Sequence, residues 1–123
     1  LADGCSPCQS RDKNGPTNVF NSELCFDQSR FMDGIALNVR FHPSVLDRED
    51  GLAKLRDMTR AYFEGGGMEV QYNIVSTETM RAAQENPEAY KDLVVRIAGY
   101  SAYFVELSKD CQNDVIARNE NHL

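Results

Sequence analysis

Apolar residues along this chain follow two rhythms, one with a period of two and one with a period of three to four. Ile35, Leu37, Val39 and Phe41 share one face of an extended segment, with Ala36, Asn38 and Arg40 on the other, which predicts a strand over 35–41. His42-Pro43 ends it, because the residue before a proline is held extended and proline donates no hydrogen bond. Met68, Val70, Tyr72 and Ile74 alternate with Glu69, Gln71 and Asn73 in a second strand over 68–75. Between them Leu52, Leu55, Met58, Thr59, Tyr62 and Phe63 recur at helical spacing, predicting a helix over 47–64. Asp47, Glu49 and Asp50 would complement the dipole of its first turn, and Gly65-Gly66-Gly67 stops it. Leu93 to Ile97 is apolar apart from Arg96, the pattern of a short strand buried on both faces.

Turn residues place the remaining elements. Residues 1–16 read as a leading loop, and Pro16 suits the first turn of a helix running to about Phe26. Ser76 is an expected N-cap for a helix over 78–85, and Asn86-Pro87 restarts a short helical turn that includes Tyr90. Ala98-Gly99-Tyr100 breaks the third strand. Ser108 caps a final helix over 108–118 with Cys111, Val115 and Ile116 on its buried side, and the polar tail 119–123 is expected to fray. The fold class is therefore mixed α/β, and alternation of this kind builds parallel crossover units.

Composition narrows the function classes. The 123 residues fit one domain or a piece of a larger one. The absence of an initiator Met points to a fragment or a processed chain, and no secretory signal stands at its start. A net charge of −6 with scattered Lys and Arg argues against a nucleic-acid partner. No apolar run approaches the ~20 residues that cross a bilayer. Cys5, Cys8, Cys25 and Cys111 could form two disulfides, but long periodic elements favour plain thiols. Cys5 and Cys8 have the spacing of half a zinc site. The second pair of ligands is missing, and neither His42 nor His122 has a partner at metal spacing, so no metal is expected. Gly65-Gly66-Gly67 follows a helix and does not open one, so it is no phosphate cradle.

The candidate chemistry lies at Gly99. Taken alone, a glycine after a strand means only a positive φ or a close backbone approach. The surrounding string, Val94-Val95-Arg96-Ile97-Ala98-Gly99-Tyr100-Ser101-Ala102-Tyr103-Phe104, closely resembles the signature loop of the glycyl radical enzymes. The resemblance continues through Val105-Glu106-Leu107-Ser108-Lys109 and Asp114-Val115-Ile116-Ala117-Arg118. Upstream it includes Leu37-Asn38-Val39-Arg40-Phe41-His42-Pro43, Gln71-Tyr72-Asn73-Ile74-Val75, and the leading loop with Asp3-Gly4, Ser6-Pro7 and Asn14-Gly15-Pro16-Thr17. The extended form of the loop looks more like the dehydratase, C–N lyase and arylacetate decarboxylase branches than like pyruvate formate-lyase.

That resemblance implies a glycine radical domain over 1–123, with the strand and radical loop at 93–107, forming the C-terminal part of a ten-stranded α/β barrel. It implies that Gly99 stores a protein-derived radical, with no other cofactor bound to the chain. The installing partner would be a radical-SAM activating enzyme that uses S-adenosylmethionine and a [4Fe–4S] cluster of its own. The stored radical would pass to a catalytic cysteine in the remainder of the enzyme, outside this chain, for cleavage of a C–C, C–O or C–N bond. Arg96 and Tyr100 would position the loop and help the activating enzyme recognise it, or else serve as a structural ion pair and a core residue. Tyr103 and Phe104 would pack the loop. A radical needs shelter from oxygen and water, so a buried loop is expected. The implied setting is the cytoplasm of an anaerobic bacterium or archaeon, a microcompartment included, and a homo-oligomer is left open. Two other readings are a stand-alone spare part that repairs an oxygen-damaged formate-lyase-type enzyme, and a non-catalytic interaction module with a structural Gly99.

Overall fold

The computed structural model describes residues 6–7, 12–97, 99–118 and 120. Cys5 and Cys8, most of the leading loop, Ala98, Asn119 and residues 121–123 lie outside the described residues, and with them the half zinc site and most of the polar tail. The elements are α1 (Pro16–Glu23), β1 (Ala36–Phe41), α2 (Ser44–Asp47), α3 (Gly51–Glu64), β2 (Glu69–Ile74), α4 (Thr77–Glu85), β3 (Val94–Arg96), β4 (Ser101–Tyr103) and α5 (Lys109–Ala117). Short 3-10 turns occupy Gln28–Arg30, Pro87–Tyr90 and Phe104–Glu106. The class is mixed α/β, as expected.

β1 and β2 pair in parallel with Leu37 opposite Val70 and Phe41 opposite Ile74, the crossover relation that alternation predicts. One face of this pair is covered by α1 and α3, whose Val19, Phe20 and Tyr62 join Leu37, Val39, Phe41 and Val45 in a first core. Leu52 and Phe63 are exposed, so the apolar stripe of α3 is narrower than the sequence suggests. The helix expected from residue 47 is split in two. Gly51 packs so tightly against the Val45 carbonyl that no side chain fits there. A turn at 48–50 therefore separates α2 from α3, and the acidic residues sit before α3, with Asp50 bonded to Lys54 at 2.6 Å.

The second core joins Met80 and Ala83 of α4, Val95, Ile97, Phe104 and Val115 of α5. Both predicted serine caps are made: the Ser76 hydroxyl accepts the Thr79 N–H, and the Ser108 hydroxyl accepts the Cys111 N–H. The third strand departs from expectation. It is not buried on both faces but forms an antiparallel hairpin with β4, a strand the apolar pattern does not announce. Val94 and Tyr103 pair on the exposed face, while Val95 and Ala102 pair on the inner one. Three residues per strand are too few to display a period of two.

Candidate radical loop

The turn of the β3–β4 hairpin carries Gly99. The Ile97 N–H donates to the Tyr100 carbonyl at 3.0 Å, closing the turn. Gly99 has φ +73°, a left-handed conformation that glycine adopts at little cost and L residues rarely take. A methyl group added at its Cα would meet nothing within 4 Å beyond its chain neighbours, so the surroundings leave room and the backbone dihedral makes the demand.

Three polar side chains hold this hairpin from outside it. Asn73 of β2 donates from Nδ2 to the Arg96 carbonyl at 3.1 Å. The Gln71 Oε1, also on β2, accepts from Arg96 Nε at 2.9 Å and from the Gly99 N–H at 3.3 Å. Arg118, just past α5, donates from Nη1 to the Ile97 carbonyl at 2.5 Å and reaches Asp114 at 3.4 Å. Gln71 and Asn73 occupy the face of β2 that alternates with the residues on the first core. Sequence reasoning did not single out Gln71, Asn73 or Arg118 as site residues. The signal was present in β2, where polar residues alternate on a strand whose other face is apolar.

The expected site residues behave unequally. Arg96 is half-buried and makes no ion pair among the described residues. Its hydrogen bonds go to neutral groups, Gln71 and the Ser101 hydroxyl at 3.3 Å. Tyr100 is not core: 53% of its surface is exposed. Phe104 is fully buried and packs under the hairpin, whereas Tyr103 is exposed. The turn is not buried within this chain either, since Gly99, Tyr100 and Ser101 all face outward. Among the described residues Cys25 is an exposed free thiol and Cys111 a half-buried one, so they do not form the pair of disulfides weighed above.

A second polar cluster ties the C-terminal segment to the end of β1. The ligating atoms of His42, Glu78 and Glu120 lie within 4.8 Å of one another, which sequence spacing could not reveal. His42 Nδ1 lies 2.8 Å from the Ser44 hydroxyl and 3.1 Å from the Ser44 N–H, and its Nε2 lies 3.9 Å from Glu120. Arg40 supplies positive charge at 3.9 Å from Glu120, and Thr77 donates to that carboxylate at 2.7 Å. The donor set therefore fits an ion-pair cluster better than a metal centre. Arg40 is buried and also donates to the Val115 and Ile116 carbonyls, at 3.1 and 3.4 Å. Burial lowers its pKa from the ordinary arginine value, with Glu120 opposing that shift.

Known proteins share the sequence pattern and fold of this chain. The family model described as "Glycine radical" matches residues 1–105. A probable dehydratase of Escherichia coli is 44% identical over all of this chain, which spans 15% of that protein. The 4-hydroxyphenylacetate decarboxylase glycyl radical subunit of Clostridioides difficile is 42% identical over 89% of the chain, and 12% of that subunit is covered. Among solved structures, the B12-independent glycerol dehydratase from Clostridium butyricum superposes with a TM-score of 0.95 at 46% identity, covering the whole chain and 16% of the dehydratase. The chain thus corresponds to a small part of each relative. A match of this length, with identities above 40% and near-complete superposition, establishes that the chain belongs to the glycine radical family.

Proposed function

We propose that this chain is the radical-storing domain of a glycyl radical enzyme, with Gly99 as the residue that bears the unpaired electron. The observation that carries the reading is Gly99 itself: a residue without a side chain, left-handed at the tip of a hairpin whose backbone is held by three polar side chains. A carbon radical between an amide nitrogen and a carbonyl delocalises onto both when the centre is flat. A Cβ at that carbon would crowd the two adjoining peptides. Activation removes one hydrogen atom from the Gly99 Cα, accepted by a radical that an activating enzyme derives from S-adenosylmethionine with the help of its iron–sulfur cluster. In turnover the Gly99 Cα takes a hydrogen atom from a cysteine thiol, and the thiyl radical left behind takes one from the substrate. That cysteine is assigned to the remainder of the polypeptide, as none of Cys5, Cys8, Cys25 and Cys111 falls in the family's thiyl position.

The exposed turn acquires meaning on this reading. Shelter for the radical comes from the rest of the enzyme, in which residues 1–123 form the C-terminal part of a ten-stranded barrel and Tyr100 lies at the contact surface. Similarity to dehydratases and decarboxylases supports cleavage of a C–O or C–C bond in a small molecule. The test is anaerobic activation of the complete polypeptide followed by electron paramagnetic resonance. A doublet from one α-hydrogen is expected, and Gly99→Ala should abolish it. An identical signal from both proteins would place the radical elsewhere.

A further inference from the structure

Among the described residues, Gln71 is the one side chain that touches Gly99 through a hydrogen bond. Its amide orientation is fixed by partners of unambiguous sense. Nε2 donates at 2.5 Å to the Glu69 carboxylate, which can only accept. Oε1 is thereby turned toward Arg96 Nε and the Gly99 N–H, which can only donate. Both lone pairs of that oxygen are used. The Gln71 backbone lies in β2, paired in register with β1 over six residues, so the oxygen is anchored in the most regular part of the fold. We propose that Gln71 is a positioning residue for the radical centre, holding Gly99 by the glycine's own amide and bracing that bond with Arg96.

The proposal rests on the reading of Gly99 as the radical site and adds a specific chemical role. The Gly99 nitrogen is one of the two atoms that share spin with Cα. An acceptor on its N–H pushes electron density toward that nitrogen and strengthens its donation to the radical carbon. Spin is thereby drawn off Cα, which narrows the splitting from the α-hydrogen. Arg118 cannot do this. It binds the Ile97 carbonyl, one peptide away from the two that flank Gly99.

The experiment compares Gln71→Leu, which keeps the bulk and loses the acceptor, with Gln71→Glu, which keeps an acceptor oxygen. Both are made in the complete polypeptide. Before activation, amide hydrogen exchange is measured by mass spectrometry. Gln71→Leu should speed exchange at 97–101 about fivefold, as for loss of one ordinary hydrogen bond, with β1 and β2 unchanged. After anaerobic activation its doublet should be wider than that of the wild type, and Gln71→Glu should restore both readings. Unchanged exchange and splitting in Gln71→Leu would overturn the proposal. So would an equal loss of protection in β1 and β2, because that reports a merely structural residue. A wild-type protein without any Gly99-dependent doublet would sink the radical reading instead, and the exchange arm would still decide whether Gln71 holds the turn.

Discussion

The two halves of this chain are held together by different means. Around β1 and β2 the framework is apolar and continuous: Phe20 and Tyr62 meet edge to face at 5.2 Å above a parallel pair whose Leu37 and Phe41 are fully buried. Around β3 and β4 an apolar base of Phe104, Val95 and Val115 supports a turn that is exposed and aimed by polar side chains reaching in from β2 and from the segment after α5. Apolar packing is strong but non-directional, and hydrogen bonds are weaker but directional. This chain uses the first for its frame and the second to hold the turn at Gly99.

The largest expected effect tests whether the two cores are separable. Phe104→Ala and Phe41→Ala each remove a fully buried ring, at a cost of about 3–5 kcal/mol. By amide hydrogen exchange, Phe104→Ala should free the hairpin and α5 while β1 and β2 keep their protection. Phe41→Ala should loosen β1 and β2, and with them the hairpin, because Gln71 and Asn73 hang from β2. If Phe104→Ala also strips protection from β1, the halves form one cooperative unit and the contrast dissolves.

A smaller effect is expected at the turn's second tether. Arg118→Ala removes the donor to the Ile97 carbonyl. For a side chain that is 23% exposed, the loss is worth about 1 kcal/mol once solvent competition is counted. Exchange should rise at 93–97 and in the last turn of α5, with Arg118→Lys recovering most of the difference. Wild-type exchange in Arg118→Ala would mean that the hairpin root is held by Phe104, the strand ladder and the β2 side chains without Arg118.

Much of the frame was legible in the sequence, because apolar alternation in 35–41 and 68–75 and the three-to-four spacing in 52–63 are long enough to show their period. β4 was not, since three residues with only Ala102 turned inward leave no pattern. The split between α2 and α3 was hidden as well, because it depends on a backbone approach between Val45 and Gly51. The glycine stood out only through its resemblance to a known loop. Its tethers are distant in sequence, with Gln71 and Gly99 28 positions apart and Arg118 and Ile97 21 positions apart, and no local rule of propensity or capping reaches that far.

Tyr100 gives the smallest effect on folding and the sharpest test of what the exposed face is for. With 53% of its surface exposed and no apolar core beneath it, Tyr100→Ala should change stability by less than about 0.5 kcal/mol. An aromatic ring beside an exposed turn is well suited to bury against a partner, where Tyr commonly anchors contacts. On the proposed radical-storing reading, radical formation by an activating enzyme should therefore slow severalfold in Tyr100→Ala, measured as the initial rate of doublet growth, while amide exchange across 94–103 stays at the wild-type level. Arg96, tied to Gln71 and Ser101, should behave the opposite way: Arg96→Leu should raise exchange in the hairpin first. If Tyr100→Ala activates at the wild-type rate, the ring is not part of the recognition surface.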